Sequence, residues 1–281
     1  MDADAYREAS LERWQRAAAG WSRRREALQR IAAPVTRWMI DAVSPHPGQV
    51  VLELAAGPGD TGLAAADRVA PTGKLICSDF AEPMLDVARE RARQLGVDNV
   101  EFRALNAESL DLETASVDAV LCRWGYMLLA DQAAGVQETR RVLRPGRRVA
   151  LAAWDAPERN PWAAAAVEET RRRLDLPPPT PAEPGMFALS AAGRIEALLA
   201  QAGFAEIEVD AIDLAMAYRS FDDWWETTLD VSRPFAEMVE ARPAAERDDI
   251  RAALQRALTP FAGPDGALVI PGRTLVAAAT A

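Results

Sequence analysis

A short glycine-rich segment carries the residue types and spacing that point most directly to chemistry. An apolar run from Val50 ends at Glu53 and leads, through Ala55, into Gly57-Pro58-Gly59-Asp60-Thr61-Gly62. Glycines at this spacing let the backbone pass close beneath a ligand, where a Cβ atom would collide with it. The segment therefore predicts a strand whose carboxyl end meets a nucleotide-like ligand, followed by a helix that begins at the Asp-Thr pair.

An acidic residue farther along the chain supports a nucleotide site. Asp79 lies 20 residues beyond Gly59, at the end of the second apolar run. A carboxylate at this position can accept hydrogen bonds from both hydroxyl groups of a ribose. Dinucleotide-binding and S-adenosylmethionine-binding proteins share the arrangement, so these two residues alone do not separate the two classes.

The elements that must position these residues follow a regular alternation. From about residue 49 to residue 213, apolar runs alternate with amphipathic helices, which predicts an α/β fold with a parallel sheet covered on both faces. The predicted strands are Gln49–Ala55, Lys74–Asp79, Val100–Leu105, Val117–Cys122, Arg148–Trp154, Glu206–Leu214 and Leu268–Ala278. The predicted helices include one from Pro83 to Leu95, one from Asp131 to the Arg144-Pro145-Gly146 stop, and one between an N-cap at Ser190 and Gly203.

Three segments lie outside the alternation. Residues 1–45 form tryptophan-rich helices, residues 177–188 are dense in proline, and residues 217–262 are mainly helical and aromatic. The predicted organisation is an N-terminal helical cap (1–45), a core (46–216), a helical lid insertion (217–262) and a final core strand (263–281). The cap and the insertion are expected to form a partial helical lid over the sheet.

Composition excludes several classes of protein. The 281 residues are 49% hydrophobic with a net charge of −10, which disfavours a surface that follows nucleic acid phosphates. No apolar run has membrane-spanning length, so we predict a soluble cytoplasmic protein, either monomer or homodimer. Cys77 and Cys122 lie in apolar runs and are predicted to be buried thiols, and His46 is the single histidine, so we expect no metal site.

Three motifs in order resemble the class I S-adenosylmethionine-dependent methyltransferases. The first is the Glu-x-Ala-x-Gly-x-Gly pattern from Glu53, and the second is Leu105-Asn106-Ala107-Glu108-Ser109-Leu110. The third, Arg140-Arg141-Val142-Leu143-Arg144-Pro145-Gly146-Arg147, is close to the R-V-L-R-P-G-G signature of that class. Ala55 stands where many members have glycine, and Asn106 stands where aspartate is more common. The strongest resemblance is to the ubiquinone/menaquinone-biosynthesis-like branch, which acts on small molecules.

The resemblance implies a fold, a cofactor and a set of contacts. The implied fold is a doubly wound, seven-stranded Rossmann-like sheet in the order 3-2-1-4-5-7-6, with the last strand antiparallel, and the implied cofactor is S-adenosyl-L-methionine. Its methionine part would lie along the glycine turn, its ribose on the acid after strand two, and its adenine beside the segment after strand three. The residues that would bind it are Glu53, Ala55, Gly57, Gly59, Asp60, Thr61, Asp79, Phe80, Met84, Asn106, Ala107, Glu108, Cys122 and Arg123.

Methyl transfer from a sulfonium is an in-line displacement in which the cofactor supplies the reactive group. Positioning can therefore replace a catalytic side chain, and the absence of a catalytic triad does not exclude an enzyme. Tyr126 and Arg123 follow the fourth strand at the expected edge and are candidate catalytic residues, with ordinary packing as the alternative. His46 precedes the first strand at the opposite edge and is expected to lie in a surface loop.

The acceptor is predicted to be a small molecule that is planar or apolar. After strand four the chain reads Cys122-Arg123-Trp124-Gly125, whereas methylation of nucleic acid bases would require an Asp/Asn-Pro-Pro-aromatic or a Pro-Cys element. Aromatic side chains favour a pocket for such an acceptor, although many tryptophans simply anchor helices. The candidate acceptor contacts are Trp21, Trp124, Tyr126, Phe187 and Trp224.

Two other functions remain open from the sequence. A nicotinamide-dependent oxidoreductase would use the same glycine turn, although a Tyr-x-x-x-Lys element is not recognisable after the sheet. A protein that binds S-adenosylmethionine without transferring its methyl group is the second alternative.

Overall fold

The apolar runs form the strands of a single mixed sheet, and the amphipathic segments form helices on both of its faces. The computed structural model describes residues 2–176 and 183–281. In these residues the strands are β1 (Val50–Glu53), β2 (Lys74–Asp79), β3 (Val100–Ala104), β4 (Val117–Arg123), β5 (Leu143–Trp154), β6 (Ala205–Tyr218) and β7 (Leu268–Thr280). The α-helices are α1 (Ala3–Val43), α2 (Asp60–Val69), α3 (Glu82–Leu95), α4 (Gln132–Val142), α5 (Pro161–Arg173), α6 (Arg194–Gln201), α7 (Phe221–Val231), α8 (Arg233–Glu240) and α9 (Ala244–Leu258).

The sheet has the order β3-β2-β1-β4-β5-β7-β6, which confirms the predicted topology. Strands β1 to β5 pair in parallel, whereas β7 runs antiparallel to both β5 and β6. The central strands β1 and β4 are buried along most of their length because helices cover both of their faces. The carboxyl ends of β1, β2, β3 and β4 meet at one edge, called here the carboxyl edge, and the residues that follow them are brought together there.

Some predicted boundaries were wrong, and β6, for example, ends at Tyr218 and not at Leu214. The predicted stop at Arg144-Pro145-Gly146 lies inside β5, which begins at Leu143 and pairs with β4 across a register shift. Gly146 has a φ of 75° and donates its N–H to the Ala281 carbonyl, so the turn residues form part of the strand. Ser190 is not an N-cap, because its Oγ donates to the Phe187 carbonyl and α6 begins after Gly193.

The N-terminal tryptophan-rich region is one helix of 41 residues that differs in its two halves. Its second half packs into the main core through Val35, Met39 and Val43. Its first part, residues 3–24, which we call the covering segment, belongs to a separate small cluster with Phe80 and Met84. The covering segment is therefore attached to the sheet by fewer apolar contacts than the rest of α1.

The helical region that follows β6 packs against α1 and α5. A Cβ atom on Gly20 would overlap the Asp230 carbonyl, so α1 crosses α7 at a residue without a side chain. Trp21 Nε1 also donates to the Val231 carbonyl at 3.2 Å. Of the proline-rich segment, residues 177–182 lie outside the described residues. Among the described helices, none has the length and apolar character needed to cross a membrane.

Candidate functional site

A cavity of about 430 Å³ lies at the carboxyl edge, between the glycine turn and the covering segment. The sheet side supplies the turn after β1, the ends of β2, β3 and β4, and the loop before α4. The lining residues are Tyr6, Arg7, Glu8, Ser10, Leu11, Trp14, Trp21, Ala55, Ala56, Gly57, Pro58, Asp79, Phe80, Met84, Ala104, Leu105, Asn106, Ala107, Glu108, Arg123, Trp124, Gly125, Leu128, Leu129 and Ala130. Most of the wall is apolar, with a few charged groups.

The glycine turn reaches the cavity with a left-handed backbone. Ala55 and Gly57 have φ values of 50° and 53°, a conformation that favours glycine. A Cβ atom on Gly57 would meet nothing within 4 Å, so this backbone faces open space. Gly59 differs, because its Cβ would lie 3.0 Å from Ala88 Cβ and 3.4 Å from Cys77 Sγ. Gly57 thus borders the cavity, whereas Gly59 is required for packing behind the turn.

Asp79 is held at the end of β2 by the backbone of two loops. Its Oδ2 accepts the Gly57 N–H at 2.8 Å, and its Oδ1 accepts the Ala81 N–H at 2.9 Å. Burial raises the pKa of the Asp79 carboxyl, and these backbone hydrogen bonds oppose the shift. Each carboxylate oxygen can accept a further hydrogen bond, so the group remains able to bind two hydroxyls.

The segment after β3 closes one end of the cavity. Asn106 Oδ1 accepts the Glu108 N–H at 3.0 Å, which gives the predicted adenine-facing carbonyl an intramolecular partner. Glu108 Oε1 accepts the Ala130 N–H at 2.8 Å, and Oε2 accepts Nε and Nη2 of Arg7. Glu108 lines the cavity, but its carboxylate mainly fastens α1 to the sheet.

Arg123 is fixed at the end of β4. Its Nε donates to Thr61 Oγ1 at 2.7 Å, and its guanidinium carbon lies 4.7 Å from the ring centroid of Trp124. The side chain also borders a second cavity of about 280 Å³ between α1 and α2. Burial lowers the pKa of the guanidinium from its ordinary value, while the nearby acids Glu53 and Asp60 oppose this.

Several predicted cofactor ligands lie beside the cavity and do not line it. Glu53 is buried beneath the turn, where burial raises its pKa to about 8 and its carboxylate faces Gly62. Asp60 Oδ1 lies 3.5 Å from Arg25 Nη1 and 3.7 Å from Arg91 Nε. Neither carboxylate borders the main cavity. The members of this group are Glu53, Gly59, Asp60, Thr61 and Cys122.

Tyr126 is not at the site, contrary to the prediction. A short helical turn after β4 rotates its ring into the core, where its hydroxyl lies 2.5 Å from Thr139 Oγ1. Burial raises the pKa of this phenol well above its ordinary value. The residue is 1% exposed and does not border the cavity, so it cannot serve there as a base or an acceptor contact.

Of the predicted aromatic acceptor contacts, Trp21 and Trp124 border the cavity. Trp124 has a φ of 61°, and its Nε1 donates to Thr274 Oγ1 at 3.0 Å. Trp224 is fully buried and donates to the Trp162 carbonyl, so its prediction was wrong, whereas Phe187 is partly buried against the core and its role stays a prediction. The lid insertion at residues 217–262 supplies none of the lining residues and instead supports α1.

Sequence reasoning missed most of the wall that α1 provides. Tyr6, Ser10 and Trp14 recur at four-residue spacing, which places them on one face of a helix. This period could have identified a common face. The sequence does not reveal that the face covers the carboxyl edge, because the partners of Tyr6 and Arg7 lie more than 100 residues away.

Comparisons with known proteins agree with this geometry. Residues 34–166 match the model of the ubiE/COQ5 methyltransferase family. The chain is 34% identical over 130 residues to the ubiquinone/menaquinone biosynthesis C-methyltransferase UbiE of Escherichia coli (strain K12 / DH10B). That match covers 46% of this chain and 52% of the relative, so the chain spans about half the length of the curated relatives it matches.

Solved structures share the fold over a longer range. A putative methyltransferase from Bacillus halodurans has a TM-score of 0.57 and 19% identity, covering 87% of this chain and 97% of its own. Phosphoethanolamine N-methyltransferase 2 of Haemonchus contortus, in complex with S-adenosyl-L-methionine, has a TM-score of 0.54 and 17% identity, covering 88% of this chain and 52% of its own. At these identities the structures support the fold alone.

Residues 34–166 are therefore similar to the ubiE/COQ5 methyltransferase family, and the chain shares the fold of a solved putative methyltransferase. The resemblance predicted from the three motifs is thereby confirmed over the matched residues.

Proposed function

We propose that this protein transfers a methyl group from S-adenosyl-L-methionine to a small, planar or apolar acceptor bound in the cavity at the carboxyl edge. The observation that supports it most is the pairing of an open backbone at Gly57 with the fixed carboxylate of Asp79, both on the cavity wall. Ligands of open α/β sheets bind at this edge, beyond the carboxyl ends of the strands.

The residues present fit this cofactor. Asp79 would accept the ribose hydroxyls, and Phe80 and Met84 would contact the adenine faces. Asn106 and Ala107 would lie at the adenine edge. The amino-acid part would lie along the open backbone of the glycine turn, with Ala55 and Gly57 facing it, because a Cβ on Gly57 meets no atom there.

The cofactor supplies an activated methyl group, and the chain aligns the donor with the acceptor and excludes water from them. Leu11, Trp14 and Leu128 border the cavity with apolar surface that excludes water from the reacting atoms. Holding donor and acceptor in line can supply about 7–11 kcal/mol of the barrier reduction. With Tyr126 buried elsewhere, we propose that positioning carries the reaction and that Arg123 contacts the bound ligands.

The name of the matched relatives suggests the first acceptors to test. They are called C-methyltransferases of ubiquinone/menaquinone biosynthesis, so a ring carbon of a quinone-type compound is the leading acceptor atom. The aromatic wall formed by Trp14, Trp21 and Trp124 suits a planar ring of this kind.

Binding and turnover test the proposal. Calorimetry with S-adenosylhomocysteine should show one site, and mass spectrometry should detect one added methyl on an acceptor from a panel of hydroxylated rings. Absence of binding by either S-adenosylmethionine or S-adenosylhomocysteine at millimolar concentration would overturn it. NADH binding detected by fluorescence would support an oxidoreductase, and cofactor binding without turnover would favour a non-catalytic role.

We also propose that the protein acts in the cytoplasm, as a monomer or homodimer, without nucleic acid. The net charge of −10 supports the last point. Light scattering would give the oligomeric state, and a gel-shift assay with RNA and DNA would contradict the proposal if it showed tight binding.

A further inference from the structure

The main cavity stops at a stack of tryptophan rings beyond the end of β4. Trp124 stacks on Trp154, with 4.3 Å between the ring centroids and 14° between the ring planes. Trp154 makes a T-shaped contact with Trp162, with 5.0 Å between the centroids. Of these three residues only Trp124 borders the main cavity, and among the described residues β5, β6 and β7 supply none of its lining. The stack therefore closes the side of the cavity that faces β5.

Trp124 is held firmly in this position. Its backbone N–H donates to the Ala152 carbonyl at 2.8 Å, and its Nε1 donates to Thr274 Oγ1 at 3.0 Å. The residue has a φ of 61°, a backbone conformation that persists only where the surroundings fix it. The guanidinium carbon of Arg123 lies over the ring, 4.7 Å from its centroid, so the indole lies between Arg123 and Trp154. A ligand in the cavity can therefore meet only the rim of this indole.

The volume of the main cavity leaves little room for an acceptor. Sites for one drug-sized ligand measure about 300–1,000 Å³. The main cavity measures about 430 Å³, near the lower end of that range. S-adenosyl-L-methionine is itself a ligand of drug size, and the acceptor must share the cavity with it. The space that remains beside the methyl donor suits a small acceptor.

We propose that Trp124 sets the upper size of the acceptor, so that the cavity takes a single aromatic ring beside the methyl donor and excludes two fused rings. The indole fills the space between the cavity and Trp154, into which a second ring would extend. Moving the indole would break its hydrogen bond to Thr274 and disturb a closely packed stack. The inference rests on the proposed function and names the size class of its acceptor.

The other two tryptophans that border the cavity are less suited to set a size limit. Trp14 and Trp21 belong to the covering segment and pack in the small cluster with Phe80 and Met84. Because this cluster is separate from the main core, the two rings can shift with their segment while the sheet remains folded. Trp124 instead follows β4 directly and is fixed to β5 and β7 through Ala152 and Thr274.

Two phenols that differ by one fused ring test the inference. Resorcinol and naphthoresorcinol carry the same pair of hydroxyl groups, and only naphthoresorcinol has a second ring. Each is titrated by ligand-observed NMR onto protein saturated with S-adenosylhomocysteine, using the native protein, Trp124→Ala and Trp225→Ala. Trp225→Ala is the matched control, because Trp225 packs against Phe235 and does not border the cavity.

The native protein and Trp225→Ala should bind resorcinol about 10-fold or more tightly than naphthoresorcinol, since an oversized ring has no space in a fixed pocket. Trp124→Ala should reverse this preference. Its affinity for naphthoresorcinol should rise about 10-fold or more, because the vacated space buries the second ring. A loss of structural support alone would weaken both phenols together and would not reverse their order.

The remaining outcomes overturn the inference. They are equal or tighter binding of naphthoresorcinol by the native protein, no binding of either phenol, and an unchanged preference in Trp124→Ala. If Trp124→Ala fails to fold, Trp124→Leu replaces it, because leucine keeps apolar packing and still vacates the rim of the indole. Each of these results leaves the proposed function in place as long as S-adenosylhomocysteine binds. Failure of the native protein to bind S-adenosylhomocysteine would overturn the proposed function, and the inference with it.

Discussion

Arg7 donates from Nε and Nη2 to a single carboxylate oxygen of Glu108, at 2.9 and 2.6 Å. The pair joins the start of α1 to the loop after β3, and both residues border the main cavity. The side chain of Glu108 is only 6% exposed, so this ion pair is screened less than most surface pairs.

Breaking this pair should release the covering segment. Arg7→Gln removes the charge but spares Glu108, and we expect S-adenosylhomocysteine to dissociate about 5- to 10-fold faster. Stopped-flow tryptophan fluorescence would measure the rate. Arg93→Gln is the control, because Arg93 is exposed and pairs with Glu90 within α3. Equal rates in all three proteins would show that the pair does not limit exchange.

Removing the carboxylate at the end of β2 should weaken the cofactor. Asp79→Ala is expected to cost about 1–3 kcal/mol of binding free energy, since hydrogen-bonding groups of the ribose and of Gly57 lose their partner. Calorimetry with S-adenosylhomocysteine measures the loss, and Asp86→Ala on exposed α3 serves as the control. An unchanged affinity would place the ribose elsewhere.

Gly125 and Ala55 are expected to be coupled in stability. A Cβ on Gly125 would lie 2.6 Å from Ala55 Cβ and 2.7 Å from Cys122 Sγ. Gly125→Ala should therefore destabilise the fold by about 1–3 kcal/mol. Ala55→Gly relieves a left-handed φ of 50° but adds freedom to the unfolded chain, so its own effect should stay within about 1 kcal/mol.

Chemical denaturation of both single variants and the double variant gives the coupling. Ala55→Gly should recover part of the loss caused by Gly125→Ala, because it removes one of the two overlaps. Strict additivity of the two changes would contradict the close approach between the ends of β1 and β4.

Stability should fall as the pH rises through the range in which Glu53 titrates. Burial raises its pKa from 4.5 to about 8, so the folded chain keeps a proton that the unfolded chain releases. Between about pH 4.5 and pH 8 the unfolded state binds fewer protons, and the free energy of unfolding decreases with pH. Above the folded pKa this contribution levels off.

Glu53→Gln isolates the effect, because glutamine resembles the protonated acid. The free energy of unfolding, measured by urea denaturation from pH 5 to pH 8.5, should fall more in the native protein than in the variant. The subtraction removes the shared contribution of Asp79, whose pKa is also raised by burial. Parallel pH profiles would show that Glu53 is ionised in the folded protein.

The local pattern predicted the central strands well because they are rich in buried apolar residues on both faces. The limits of β2, Lys74–Asp79, match the prediction. The sheet order came from the resemblance and could not be obtained from periodicity. Glu53, Asp60 and Thr61 flank the glycine turn as predicted, but the direction of each side chain depends on backbone angles that residue types do not specify.

The errors at the site share a physical cause. Tyr126 follows β4 as predicted, yet one helical turn directs it toward Thr139. Trp224 was chosen by residue type, whereas packing between α7 and α5 decides that it is buried. Contacts between residues far apart in the chain, such as the Arg7–Glu108 pair, cannot be predicted from the local sequence pattern.

Helix α1 is continuous and about 60 Å long, and its second half packs into the main core. Val35 and Met39 belong to that core, whereas Trp14 and Trp21 pack in the separate small cluster with Phe80 and Met84. The covering segment can therefore separate from the sheet while the sheet remains folded, since the two clusters need not break together. Exchange of a spent ligand for a fresh one would then require the loss of that small cluster, of the Arg7–Glu108 pair and of the contacts that residues 20–24 make with α7.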